Sequence, residues 1–420
     1  MPNKVEIYHV QQSGREPSPF LSIAALLISV ALLVTGNGLQ MMLLPIRGGI
    51  EGFSSVQLGL MGSGYYLGFV LGCLGTPLLL RRSGHIRTFA ALVAIAAAIA
   101  LLYPMLVHPL AWAALRLITG FCLAGLYLIV ESWINDRATK QTRGALISTY
   151  VAINYIVTTL GQMTVTLFAP NSFMLFSIAS VLISIAAVPL ALTRSAEPKP
   201  PALVRFRPIR LFQMSPAGTV SIFLIGLGTG ALWSLGPVFA EARSGDITIA
   251  ALFMSALVLG GALAQWPIGR LSDRFDRRYI LIAVTAAAAL ACLVIALLPD
   301  LGGPWLVFAF VFGAAFLPAY AVASAHVFDF ADRADYVEVS AGLLLLYGLG
   351  STIGPVLGAF AMQWFGPLGL LGYFAAVQLL IIAFVALRLT RRDGLPEAEK
   401  QSFDLVATAP VVTAGAAANE

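Results

Sequence analysis

Charge is what this 420-residue chain has least of: Asp, Glu, Lys and Arg make up 11% of it, against 59% hydrophobic residues. Soluble domains carry about 25% charge, so a set of water-exposed domains is excluded and a membrane composition remains. Cysteine is nearly as scarce. Cys73, Cys122 and Cys292 all lie inside apolar runs, which argues against a disulfide framework or metal cluster and leaves them as small hydrophobes. Three of the four histidines, His9, His85 and His108, are scattered. No nucleophile–base pattern and no Gly-Lys-Ser/Thr phosphate loop appears, so ATP hydrolysis is not expected, and the chain reads as no enzyme and as needing no cofactor. The net charge of +5 is spread through short loops instead of lying on one soluble face, so no nucleic acid is expected as a partner.

What the sequence does have is long apolar runs. Six fall in the first half, at 20–44, 54–80, 88–107, 110–134, 144–168 and 172–193. Six more follow, at 216–242, 247–268, 279–298, 305–328, 338–363 and 368–389. Each can cross a hydrocarbon core about 30 Å thick as a helix. The chain therefore divides into a tail, 1–19, a six-helix unit, 20–193, a linker, 194–215, a second six-helix unit, 216–389, and a tail, 390–420. Residues 1–19 precede a run too long for a signal-peptide core and are expected to stay uncleaved. All but three of the 25 Lys and Arg residues sort to one side of this alternation, the exceptions being Arg47, Arg243 and Arg116. By the positive-inside rule both termini are cytoplasmic.

The two halves repeat. Aligning Gly120 with Gly313 sets Tyr127 opposite Tyr320, and a three-residue longer loop then sets Asp136 opposite Asp332; further on, Tyr150 meets Tyr347 and Gly161 meets Gly358. Such pseudo-equivalent halves place a solute site between them near mid-membrane.

In the fourth run, Arg116, Tyr127 and Glu131 fall within about 60° on a helical wheel. Ionisable groups at membrane depth are costly and by default face a wet cavity. Arg116 and Glu131 also lie about 22 Å apart along a helix, so snorkelling to opposite interfaces accounts for them equally. Asn154, Tyr155, Thr158, Thr159 and Gln162 form a polar stripe on the fifth run, and Asn37 and Gln40 lie one turn apart on the first. Both sets suit a polar solute or interhelical hydrogen bonds. Trp233 and Tyr320 are the aromatic candidates of the second half. His326, Asp329, Asp332, Asp335 and Glu338 gather near 330, a spread that fits helix capping and salt bridging better than a metal site.

Gly269-Arg-Leu-Ser-Asp273-Arg274-Phe-Asp-Arg277-Arg278, between the eighth and ninth runs, resembles the loop signature of major facilitator superfamily transporters, with Asp276 where the signature has glycine. Asp273 there is expected to accept hydrogen bonds from helix-terminal N–H groups. Arg116-Leu-Ile-Thr-Gly120 resembles a second superfamily motif, and Arg81-Arg82-Ser-Gly-His-Ile-Arg87 occupies the place of the first-half loop. Together with Gly64-Tyr-Tyr-Leu-Gly68 and the stretch Glu131-Ser-Trp-Ile-Asn-Asp-Arg137, these residues are similar to the bacterial YcaD-like branch. The resemblance implies an all-α membrane protein of twelve helices in two bundles, sitting as a monomer in the bacterial inner membrane. It implies proton-coupled alternating access for a small polar or anionic solute, with Arg116 and Glu131 on the pathway and Gly269 to Arg278 as a cytoplasmic latch. Drug or metabolite efflux by proton antiport is the alternative, and a non-transporting receptor or scaffold is a third. Gly64, Gly68 and Gly72, with Gly350, Gly354 and Gly358, lie on helices that meet across the halves in the superfamily, so they are expected either to let the halves rock or to hold helices in static close packing.

Overall fold

The computed structural model describes residues 19–137, 142–192, 198, 206–298, 302–332 and 335–390. All but one residue of each expected tail and half of the expected linker, with Lys140 and Arg333, lie outside the described residues.

The first half holds α1 (Pro19–Ile50), α2 (Ser55–Ser83), α3 (His85–Leu102), α4 (Pro109–Arg137), α5 (Arg143–Met163), α6 (Phe173–Ile185) and α7 (Ala187–Ala191). The short α8 (Pro208–Met214) interrupts the stretch expected to be linker. The second half holds α9 (Pro216–Ser244), α10 (Ile247–Arg274), α11 (Arg277–Leu297), α12 (Gly303–Phe316), α13 (Ala319–Phe328), α14 (Tyr336–Phe365) and α15 (Gly369–Leu389). Among the described residues, eleven helices or helix pairs are long and apolar enough to cross a membrane. The twelfth expected crossing is α5, which ends in a 3₁₀ turn at Thr164–Leu167 and whose polar stripe dilutes its hydropathy.

Local chemistry sets the ends. Ser54 and Gln57 form a reciprocal capping box on α2, and Asp246 caps α10. Gly84, at φ 76°, turns the chain between α2 and α3 in a conformation that a residue with a Cβ seldom adopts. The sixth and tenth crossings are each split near a proline. Pro189, lacking an N–H, cannot donate to Ile185, where α6 stops, and Pro318 separates α12 from α13.

Within the first half α2 packs on α4 and α1 on α5; within the second, α10 packs on α12 and α9 on α14. The repeat is visible in the closest approaches. A Cβ on Gly68 would lie 1.8 Å from the Leu117 carbonyl oxygen and one on Gly120 1.9 Å from that of Tyr65; Gly260 and Gly313 repeat this against Phe310 and Leu257 at 2.0 and 1.9 Å. Of the two expectations for the glycine stripes, close packing is the one seen, but not across the halves. Gly64, Gly68 and Gly72 face Ala113, Leu117 and Phe121 of α4, while Gly350, Gly354 and Gly358 face α9. They seat helices inside each half, because carbonyl-to-backbone contact this close leaves no room to slide. The contact between halves is made elsewhere, where Gly59 and Gly62 of α2 meet Pro355 and Ala359 of α14 and Ser234 of α9.

The buried core shows how the halves are joined. One cluster, including Leu43, Met61, Trp112, Leu235, Phe253 and Met362, runs through both halves at the end where α1 finishes and α2 begins. At the opposite end, where the Arg-rich loops lie, each half has its own cluster, one around Leu33, Phe89 and Leu126 and the other around Ile222, Leu281 and Val322. The bundles are sealed together at one end and have separate cores at the other.

Candidate functional site

Between the two bundles lies a cavity of about 280 Å³. Its wall comes from α1, α2, α4 and α5 on one side and from α9, α10, α13 and α14 on the other, with Leu317 at the α12–α13 break. Of the residues expected on the pathway, Asn37, Tyr127, Glu131, Asn154, Thr158, Trp233 and Tyr320 line it. Three other candidates do not. Gln40 and Gln162 are buried behind the wall. Arg116 is 2% exposed, with its guanidinium 4.7 Å above the Tyr65 ring and donating at 3.3 Å to the Met41 sulfur. Tyr65 and Met41 are cavity-wall residues, so they stand between Arg116 and the cavity. Arg116 keeps its place on the α4 stripe, but it lies toward the sealed end, where the shared core replaces the cavity.

The structure adds residues that sequence reasoning passed over. Tyr65, Tyr66, Tyr150 and Tyr347 join Tyr127, Tyr320 and the Tyr155 of the fifth-run stripe, so seven of the chain's 12 tyrosines line this one cavity, with Trp233 and Phe69. One signal for them was present. Both tyrosine pairs matched by the internal repeat, Tyr127 with Tyr320 and Tyr150 with Tyr347, converge here.

The electrostatics are one-sided. Glu131 is the single carboxylate of the described wall, which holds no Lys, Arg or His, and neither of its oxygens has a hydrogen-bond partner among the described residues. Asn37 Oδ1 is likewise buried without a partner, whereas Asn154 donates to the Tyr150 carbonyl at 2.8 Å. An unpaired carboxylate in a low-dielectric site must be balanced by a proton or by a cationic ligand.

At the Arg-rich end the second-half loop is tighter than expected. α10 continues through Arg274, leaving Phe275 and Asp276 to make the turn. Asp276, where the superfamily signature has glycine, rather than Asp273, caps the next helix by accepting from the Arg278 N–H at 2.9 Å. Burial pushes its carboxyl up, but hydrogen bonds and charge from Arg278 outweigh this and hold it below the ordinary aspartate value. Asp273 instead accepts from Arg277 at 3.2 Å, one turn away. Arg277, 1% exposed, also donates to Ser272 and, through two nitrogens, to Asp329 at 2.8 and 3.3 Å. Gly269 is buried beneath them, and Arg274 points outward. Without the three-residue gap the repeat would set Asp329 opposite Asp136, and Asp329 is the acid that pairs with Arg277. Asp335 and Glu338 bind Arg210 and Arg207 of the α8 region. In the first half His85 contacts Ser132 at 3.3 Å and stacks on Trp133, joining two of the motifs that carried the narrower resemblance.

Because the Arg277–Asp329 pair is almost fully buried, Asp329→Asn should destabilise the protein by about 3–5 kcal/mol, the usual cost of stranding one partner of such a pair. Thermal unfolding in detergent would show a marked drop in Tm. An unchanged Tm would mean that the pair is not what holds this end together.

Two helical bundles with a solute-sized cavity between them define a membrane transporter. The Major Facilitator Superfamily model matches residues 26–217 and again 218–417, one match per half. The chain belongs to that superfamily. It is 28% identical over 388 residues to an uncharacterized MFS-type transporter YcaD of Escherichia fergusonii, covering 91% of this chain and 98% of the relative. In fold it is similar to a D323A mutant of the nucleoside transporter NupG, with a TM-score of 0.76 at 14% identity over 87% of this chain and 99% of that one. A bacterial homologue of the lysosomal transporter Spinster, in an inward-facing and occupied conformation, gives 0.71 at 16% identity over 93% and 100%.

Proposed function

We propose that this transporter exchanges protons for an aromatic organic cation, with Glu131 as the group that both ions compete for. The observation that carries this reading is the unpartnered Glu131 carboxylate in a cavity walled by tyrosines and holding no basic side chain among the described residues. Aromatic faces attract cations, by up to ~2 kcal/mol when desolvated. A single carboxylate can be satisfied by a proton or by the cation but not by both, and that exclusion is the elementary basis of antiport. An anionic solute would need a cationic wall, and Arg116 lies behind Tyr65. A small neutral polar solute is the second reading, favoured by the unpartnered Asn37 Oδ1.

Alternating access would run from this arrangement, with the bundles joined at one end, to one in which that seal parts and the Arg-rich ends close. We place the Arg-rich end in the bacterial cytoplasm, with both termini there, on the distribution of Lys and Arg.

Proteoliposomes carrying an imposed pH gradient test the reading, with ethidium as the cationic aromatic probe and uridine as a neutral polar one. Ethidium should move against the proton gradient, and a proton ionophore should stop it. Trp233→Ala should weaken ethidium binding about tenfold, within the range of a desolvated cation–π contact. Proton-coupled movement of uridine with none of ethidium would overturn the cation assignment in favour of the polar solute.

A further inference from the structure

A second pocket, of about 190 Å³, lies inside the second bundle at the Arg-rich end, away from the central cavity. Its wall is built from helix ends: Ser215 and Ala217 where α9 starts, Arg278 where α11 starts, His326 near the end of α13, and Arg388 near the end of α15. Arg278 is 6% exposed and its charge is matched by Asp276, whose carboxylate lies 2.7 Å from it. Arg388 has no such match. Its Nε is buried without a hydrogen-bond partner among the described residues, and its guanidinium lies 5.9 Å from the Phe212 ring centroid and 5.7 Å from that of Phe384. The first turn of α9 adds the Ala217 N–H at the positive end of its dipole, Pro216 having no N–H and that of Gly218 being taken by the Ser215 hydroxyl. Among the described residues no carboxylate pairs with Arg388, so the pocket has one cationic side chain more than its acidic partners match.

We propose that this pocket binds the phosphate of an acidic phospholipid headgroup. An apolar neighbour argues for a lipid over a free anion: Phe212 of α8, whose ring lies against the Arg388 guanidinium, is 43% exposed and placed to meet acyl chains while the phosphate reaches Arg388. Basic pockets between membrane helices at the cytoplasmic face take headgroups in this way.

Thermal unfolding of the full chain in detergent decides the matter, with phosphatidylglycerol, phosphatidylcholine or inorganic phosphate added. Phosphatidylglycerol should raise Tm, Arg388→Gln should lose that rise, and Arg388→Lys should keep most of it. Arg270→Gln, which removes an exposed arginine stacked on Trp266 at the same end, should leave the rise intact. An equal rise with phosphatidylcholine or with inorganic phosphate would overturn the lipid assignment. So would a rise that survives in Arg388→Gln.

Discussion

Replacing Glu131 by Gln should abolish transport driven by a pH gradient, by a factor of about 10² or more, the scale on which removal of a proton-transferring group acts. Glutamine keeps the shape of a protonated glutamate but cannot release a proton or carry a charge, so the cavity loses its one site of competition. Cation binding should weaken with it, while downhill movement of an uncharged aromatic probe persists, showing that the bundles still fold and move. Glu131→Asp should retain part of the coupled activity. The reading fails if the Gln variant transports ethidium with unchanged pH dependence.

Alanine at Gly68 or Gly354 should be the most damaging small change in the molecule. Each new Cβ would lie 1.8 or 1.9 Å from a backbone carbonyl oxygen, of Leu117 or Leu227, and no side-chain rotation relieves a clash with backbone. Overpacking of this kind costs about 1–3 kcal/mol, and more where the backbone must shift. Both variants should show a lowered Tm and poor recovery from the membrane. Gly372 has nothing within 4 Å of its Cβ position, so alanine there should be neutral or stabilising by about 1 kcal/mol. Gly62 separates folding from motion. Its Cβ would press on Ser234 across the contact between halves, so Gly62→Ala should leave Tm nearly unchanged while loosening the sealed end and altering transport. Equal Tm losses for Gly62 and Gly68 would contradict this division.

The fold was legible because a bilayer forces each crossing to be a long apolar run and sorts Arg and Lys by side. Breaks such as that at Pro318 were not, since an apolar run reads the same whether its helix is whole or split. The site was legible only in part. Glu131 and Tyr127 stood out because a polar stripe is rare on so apolar a helix, and the second-half glycine-to-arginine loop was recognisable by spacing. The rest of the tyrosine wall was missed because a tyrosine in an apolar run has the same pattern whether it faces lipid, core or cavity. Arg116 was misplaced for a related reason. Periodicity gives the direction a side chain points around its helix, but not how far along the axis the cavity extends. The glycine stripes marked close helix contacts correctly, yet spacing alone could not say which partner helix each stripe meets.

The account depends most on proton and cation sharing one carboxylate in the central cavity. The direct measurement is proton release when ethidium binds to purified protein in weakly buffered solution. At a pH where Glu131 is protonated, linkage predicts up to about one proton released per cation bound, and none from Glu131→Gln at saturating ethidium. Equal release from both proteins, or binding to the wild type with no release at any pH, would contradict it.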